Sequence, residues 1–305
     1  MKVNRIRQNV LPLLAAFIWG TAFVAQSMAA GHVGPFTFNA ARSVIAFFFL
    51  LGLCVIRRIW QSKAGMTPAS TPKALMIGGI CCGTALAVAS NLQQKGIETT
   101  TSGKAGFITA LYIVLVPIAG LFLKRRVGIK VWAGVALAMA GLYCLCITEG
   151  FSIAVGDFYL LGCAVCFTVQ IMCIDHFAQK VDGVELSCAQ FFVVSIISTV
   201  GMFLTETPTM EAVSTCLWPI LYVGVFSSGV AYTLQVIGQK NFNPTIAAMI
   251  MSMESVISAL ASYYAYSMGW LGQDQSMTVI QIIGCVIMFC SVIFVQLPFD
   301  KLHKH

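Results

Sequence analysis

Arg42 and Glu254 are the residues of this chain most able to do chemistry, because each sits inside a long apolar run. An ionisable side chain at the centre of a membrane helix costs roughly 2.5 to 3.5 kcal/mol on insertion scales, so it needs an opposite charge or a wet cavity. A guanidinium takes a carboxylate through two parallel hydrogen bonds, and a carboxylate takes an ammonium group or a proton. A zwitterionic amino acid satisfies both charges. Two other readings stay open: Glu254 is a proton-coupling group for which cation and proton compete, or the two residues pair with each other and only hold helices together.

Glu254 lies on a stripe. Ala247, Met251, Glu254, Ser258 and Ala261 recur at three- and four-residue spacing, which puts them on one helical face of small or polar residues. A second stripe, Ala105, Thr109, Tyr112, Val116 and Ala119, has the same spacing and sets Tyr112 in the place of Glu254. Close helix packing accounts for the alanines. Tyr112 and Glu254 are expected to face one cavity.

Aromatic and amide residues extend the candidate set. Trp60, Trp132, Trp218 and Trp270 fall at run ends or in a loop, as interfacial tryptophans do, whereas Trp19 falls mid-run, with Phe167 as its counterpart. Trp19 is read either as a stacking surface for an aromatic or cationic ligand or as a packing residue beside Gly20. Asn39, Asn91, Gln94, Gln170, Tyr232 and Gln235 are read as lining the same route or as making interhelical hydrogen bonds. The candidate ligand-binding set is Trp19, Arg42, Asn91, Tyr112, Phe167, Gln170, Tyr232 and Glu254. Lys104 and Asp175, near run ends, are expected to be interfacial and solvated.

The elements that must position these residues are membrane helices. With 58% apolar and only 10% charged residues, an ordinary soluble domain is excluded. A spanning helix needs about 20 mostly apolar residues. Ten runs qualify, from Asn9 to Ala30, Pro35 to Ile56, Ala74 to Lys95, Ser102 to Leu123, Val131 to Thr148, Asp157 to Phe177, Glu185 to Thr205, Trp218 to Gly238, Pro244 to Met268 and Met277 to Leu297. With the N-terminus inside, every Lys and Arg except Arg42, Lys95 and Lys104 falls on the cytoplasmic side. Both termini are therefore expected in the cytoplasm. The net charge of +7 follows from this topology and from contact with anionic lipid head groups, with no nucleic-acid partner required. Lys2, Arg5 and Arg7 before an apolar run also resemble a signal peptide ending near Ala29 and Ala30. The length of the run and the repeat described next favour a retained helix.

The chain repeats itself. Leu92, Gln93, Gly96 and Ala105 recur without gaps as Leu234, Gln235, Gly238 and Ala247. The two copies occupy residues 1–150 and 151–305 and hold five spans each. An odd number of spans forces the second copy to lie upside down relative to the first, an arrangement found in secondary transporters with a midplane site. The expected fold is all-α and integral to the membrane, with ten transmembrane helices from two inverted five-helix repeats.

The chain resembles the drug/metabolite transporter superfamily, in particular its EamA-type ten-helix members. The resemblance is carried by Phe17-Ile18-Trp19-Gly20, Ala41-Arg42, Thr101 to Thr109 leading to Val116-Pro117, Leu234-Gln235, Met253-Glu254 and Gln281 to Gly284. Ser255 stands where the family often has proline after the glutamate. The resemblance implies a secondary transporter, usually an exporter of small metabolites or amino acids, in the cytoplasmic membrane of a prokaryote. Amino-acid export by alternating access is the first expectation. A proton-coupled exporter of organic cations is the second, and a channel or a non-transporting receptor is the alternative of another class.

An enzyme is not expected. His32, His176, His303 and His305 lie in loops, at a span end or in the tail, and no metalloprotease helix motif, serine elbow or aspartate pair falls within the spans. No cofactor or metal is expected. Cys163 and Cys166 have the spacing of a redox motif but lie mid-run without a second pair, and read as packing residues. Gly79 and Gly83 permit close helix contact, either inside the chain or in a homodimer.

Overall fold

A computed structural model describes residues 2–64, 70–100, 102–125, 127–146, 154–272 and 276–297, with the side chains of 2–7, 103 and 146 excepted. Of the residues used above, the side chains of Lys2, Arg5 and Arg7 fall outside these bounds. So do Thr101, Arg126, Thr148, Lys301, His303, Lys304 and His305.

The described residues form helices that follow the ten expected runs. They are α1 (Lys2–Ala29), α2 (Pro35–Lys63), α3 (Pro72–Ile97), α4 in two halves (Ser102–Thr109 and Tyr112–Phe122), α5 (Ile129–Cys146), α6 (Val155–Phe177), α7 (Gly183–Thr205), α8 in three parts (Leu217–Tyr222, Val223–Ala231 and Tyr232–Gln239), α9 in two halves (Pro244–Met251 and Met253–Ser267) and α10 (Val279–Gln296). Nine are long and apolar enough to cross a bilayer, and the apolar part of α5, Ile129–Leu145, is shorter.

Local chemistry sets where the helices start. Pro35, Pro72 and Pro244 occupy first-turn positions, where the missing N–H is not needed. Asn243 Oδ1 accepts from the Thr245 and Ile246 amides, and Asp182 Oδ1 from those of Val184 and Glu185, satisfying donors that helix starts leave open. A long-range cap closes α2. The Glu206 carboxylate, from the end of α7, accepts from Phe36 N at 2.8 Å, Thr37 N at 2.8 Å and Thr37 Oγ1 at 2.6 Å.

The packing obeys the repeat. α1 packs against α8 and α9, and α6, its counterpart, packs against α3 and α4. α2 lies on α7, and α5 on α10. Exchanging each helix with the one five further along reproduces these contacts, as two inverted repeats require. Side chains such as Phe48, Ile56, Phe122, Phe158, Phe203 and Leu204 are exposed on the outside, which gives the bundle the apolar surface a bilayer needs. Gly79 and Gly83 face α7, where a Cβ would come within 2.6 Å of Ala189 Cβ and Val193 Cβ respectively. Their contact is therefore inside the chain.

Two interruptions sit at matching places. α4 breaks at Ala110 and Leu111 and α9 at Ser252, and the alignment of Ala105 with Ala247 carries Ala110 onto Ser252. Proline does not make the break in α9. Ser252 Oγ bonds to Met249 O at 2.8 Å and Ser255 Oγ to Ser252 O at 2.7 Å, while Ser255 N donates to Ser252 O three residues back. The serine hydroxyls thus add donors where the helical ladder changes step.

Candidate functional site

The breaks in α4 and α9 place Tyr112 and Glu254 at the start of the second half of each helix. Their side chains meet: Tyr112 OH donates to Glu254 Oε1 at 2.9 Å, both residues being buried. They line one cavity with Trp19, Arg42, Phe167 and Tyr232. The cavity is narrow in this conformation, about 30 Å³. That admits water but not an amino acid, so side chains or helices must move for a larger guest.

Arg42 reaches the cavity from α2 and is 2% exposed. Its Nε donates to Asn39 Oδ1 at 2.6 Å, one helical turn earlier, and its guanidinium lies 5.9 Å from the Phe38 ring centre. Behind it, Gly224 on α8 lets that helix approach closely, since a Cβ there would sit 3.1 Å from the Arg42 carbonyl oxygen. Gly224 lies in the first turn of the π-helical stretch Val223–Ala231, which also contributes Ser227 to the cavity. π-Helical turns are rare and are frequently found at functional sites.

Trp19 enters from α1. Its ring centre is 4.8 Å from that of Tyr232, which in turn meets Phe191 at 5.4 Å. The neighbouring Gly20 explains how α1 comes so close to α9: a Cβ on it would stand 2.6 Å from Ile257 Cβ and 2.9 Å from the Glu254 carbonyl oxygen. Trp19 Nε1 is buried and has no hydrogen-bond partner.

Arg42 and Glu254 do not pair with each other. Among the described residues, no ion pair within 4.0 Å includes either one. The reading in which they only neutralise one another is therefore not what this conformation shows.

Of the candidate residues, Trp19, Arg42, Tyr112, Phe167, Tyr232 and Glu254 line the cavity, while Asn91 and Gln170 do not. Asn91 is committed to neighbours, its Nδ2 donating to Ala87 O and Ser198 Oγ and its Oδ1 accepting from Asn39. Gln170 exchanges amide hydrogen bonds of 3.4 and 3.3 Å with Gln235, and it is Gln235 that reaches the cavity. Gln94 turns away to donate to the Gln26 carbonyl, whereas Gln93 lines the cavity. Gln93 and Gln235 are repeat mates. Both repeats therefore supply an amide, as they supply an aromatic at Trp19 and Phe167.

Lys104 and Asp175 depart from expectation. Each is in an ion pair of 2.6 Å, Lys104 with Asp157 and Arg125 with Asp175, and the Asp175 side chain is only 8% exposed. Neither is a freely solvated interfacial group, because α6 ends against α4 closely enough to supply partners.

Phe23, Gln26, Ile171 and Met251 also line the cavity. Their signal was helical spacing: Phe23 and Gln26 follow Trp19 by four and seven residues, and Ile171 follows Phe167 by four. Met251 already stood on the Glu254 stripe.

Comparison with known proteins agrees with this architecture. The EamA-like transporter family matches residues 8–147 and again residues 154–297. An uncharacterized transporter of Archaeoglobus fulgidus is 30% identical over 301 residues, covering 97% of this chain and 87% of that protein. A solved crystal structure superposes with a TM-score of 0.74 over 97% of this chain and 99% of that one, at 18% identity, which is a likeness of fold. This chain is a multi-pass membrane protein that belongs to the EamA-like transporter family of the drug/metabolite transporter superfamily.

Proposed function

We propose that the chain exports small metabolites, with amino acids as the class, across the cytoplasmic membrane by alternating access, with both termini in the cytoplasm. One observation supports this above the others: Arg42 and Glu254 share a cavity between the broken helices without pairing. A guest with a carboxylate and an ammonium group fits that arrangement, the first on Arg42 and the second on Glu254, with Trp19, Tyr232 and Phe167 against its side chain. The two repeats, residues 1–150 and 151–305, pack chiefly against each other, so alternating access moves helices of both about the cavity.

Proton-coupled export of organic cations is the second reading. It is favoured by Glu254 itself, which faces the cavity and has a neutral hydroxyl as its hydrogen-bond partner. Protein reconstituted in liposomes separates the two. Saturable counterflow of labelled amino acids, lost in Glu254→Gln, supports the first reading. Exchange of organic cations alone, inhibited by acid, replaces it with the second, and exchange of neither removes both.

A further inference from the structure

Arg42 is the one buried lysine or arginine among the described residues. A buried charge is ordinarily paired with an opposite charge, since leaving it alone in the interior is costly. No acid among the described residues forms an ion pair with Arg42: Glu98, Asp157, Asp175, Asp182 and Glu185 pair with other cations, Glu206 caps α2, and Glu254, which shares the cavity, accepts from Tyr112. In place of a carboxylate, Arg42 has the neutral amide of Asn39.

That amide is itself held. Asn39 Nδ2 donates to Asn91 Oδ1 at 3.1 Å and to Ser90 O at 3.0 Å, and Asn91 Nδ2 donates to Ser198 Oγ at 3.0 Å. The chain Arg42–Asn39–Asn91–Ser198 runs through α2, α3 and α7 and contains no acid. It fixes which way the Asn39 amide points, with oxygen toward Arg42 Nε and nitrogen toward Asn91. With Nε so occupied, the two terminal nitrogens remain as a planar fork for a carboxylate.

We infer that Asn39 is a positioning residue that holds Arg42 in place while leaving its charge uncompensated, so that the cavity selects guests carrying a carboxylate. This rests on the reading of Arg42 as the anion-binding group of the transport cavity. An aspartate at position 39 would also accept from Arg42 Nε, but it would cancel the charge and, lacking Nδ2, would lose the bonds to Asn91 and Ser90. The neutral chain keeps the counter-ion's place open for the guest.

The probes are benzoate and its neutral isostere benzamide, titrated into the purified full-length chain with binding followed by equilibrium dialysis. The wild type is expected to favour benzoate by about ten- to hundredfold, the range for a hydrogen bond to a charged group. Arg42→Gln removes that preference. Asn39→Asp abolishes or inverts it, whereas Asn39→Ser, which stays neutral, weakens benzoate binding but keeps benzoate ahead. Should Asn39→Asp fail to fold, Ser198→Ala replaces it, with an expected loss of about threefold for benzoate and none for benzamide. Equal binding of the two probes by the wild type overturns the inference, as does an unchanged preference in Asn39→Asp, or in Ser198→Ala where that variant stands in. Benzoate selection without amino-acid counterflow leaves this inference standing and removes the amino-acid reading instead.

Discussion

Tyr112 and Glu254 occupy equivalent positions in the two repeats, and they are bonded to one another at 2.9 Å. A residue that touches its own repeat mate lies close to the pseudo-two-fold axis. Both also stand immediately after a helix break, so the interruptions in α4 and α9 converge on this one contact. Replacing Tyr112 by Phe leaves a buried carboxylate oxygen without that donor, at a cost of about 1–3 kcal/mol in stability. Substrate exchange should fall as well, and the stability losses of Tyr112→Phe and Glu254→Leu should combine to less than their sum, because either change removes the same contact. Thermal unfolding of the two single variants and the double variant measures this, and strict additivity would show that the bond carries no coupling.

The cap on α2 gives a prediction away from the cavity. Glu206 serves two backbone amides and a hydroxyl at the start of the helix that carries Arg42. Gly34 makes room for it, since a Cβ there would fall 2.4 Å from the carboxyl carbon. Glu206→Ala is expected to cost about 1–2 kcal/mol, the range for a lost cap combined with a lost favourable charge at a helix N-terminus. Glu206→Gln, which keeps acceptors but loses charge, should cost less. Thermal unfolding in detergent ranks the three proteins, and an unchanged midpoint in Glu206→Ala would mean that solvent replaces the cap.

Much of this was legible in the sequence, and the limits are physical. Helices had to follow the apolar runs, because a run of about 20 apolar residues without alternation can satisfy its backbone in a bilayer only as a helix. The gap-free recurrence of Leu92, Gln93 and Ala105 set the symmetry, and with it the meeting of Tyr112 and Glu254. What remained hidden is mostly rotational detail. Gln93 and Gln94 are neighbours in sequence with identical side chains, yet they differ by about 100° around a helix, and only packing decides which one faces the cavity. Asn91 has the same polarity whether it faces a guest or Asn39. The Glu206 cap and the Arg125–Asp175 pair join residues far apart in sequence, for which spacing gives no signal. The break in α9 was hidden differently, because serine produces there what proline would have announced.

Glycines separate positions that need the absence of a side chain from those that do not. At Gly20 a Cβ would overlap Ile257 and the Glu254 carbonyl, while at Gly52, on an exposed part of α2, nothing lies within 4 Å. Gly20→Ala should therefore destabilise by about 1–3 kcal/mol through overpacking and reduce exchange, because α1 must shift away from Glu254. Gly52→Ala should stabilise by about 0.5–1 kcal/mol through higher helix propensity, with exchange unchanged. Unfolding midpoints and counterflow on both variants check the pair, and a neutral Gly20→Ala would show that α1 and α9 separate without consequence.

Both ends of α6 are tied to α4, and the ties are ionic. Lys104 at the start of α4 meets Asp157 at the start of α6, and Arg125 just beyond α4 meets Asp175 near the end of α6. The two pairs lie at opposite faces of the bundle, one on each side of the cavity. If opening of either face parts α4 from α6 at that face, the two pairs break in turn during a cycle. Removing one should therefore favour the state open on its own face. Asp175→Asn is expected to lower stability by about 1 kcal/mol, because Arg125 is 43% exposed and solvent screens the pair. It should also raise the labelling of a cysteine introduced at Thr245, which lines a second, separate pocket together with Arg125 and Asp175, by a membrane-impermeant maleimide. Asp157→Asn should leave that site less reactive than in the parent chain. The labelling is compared in a background whose native cysteines are replaced by serine, in inside-out and right-side-out vesicles. Equal reactivity in both variants would mean that the pairs hold the fold together without bearing on which face opens.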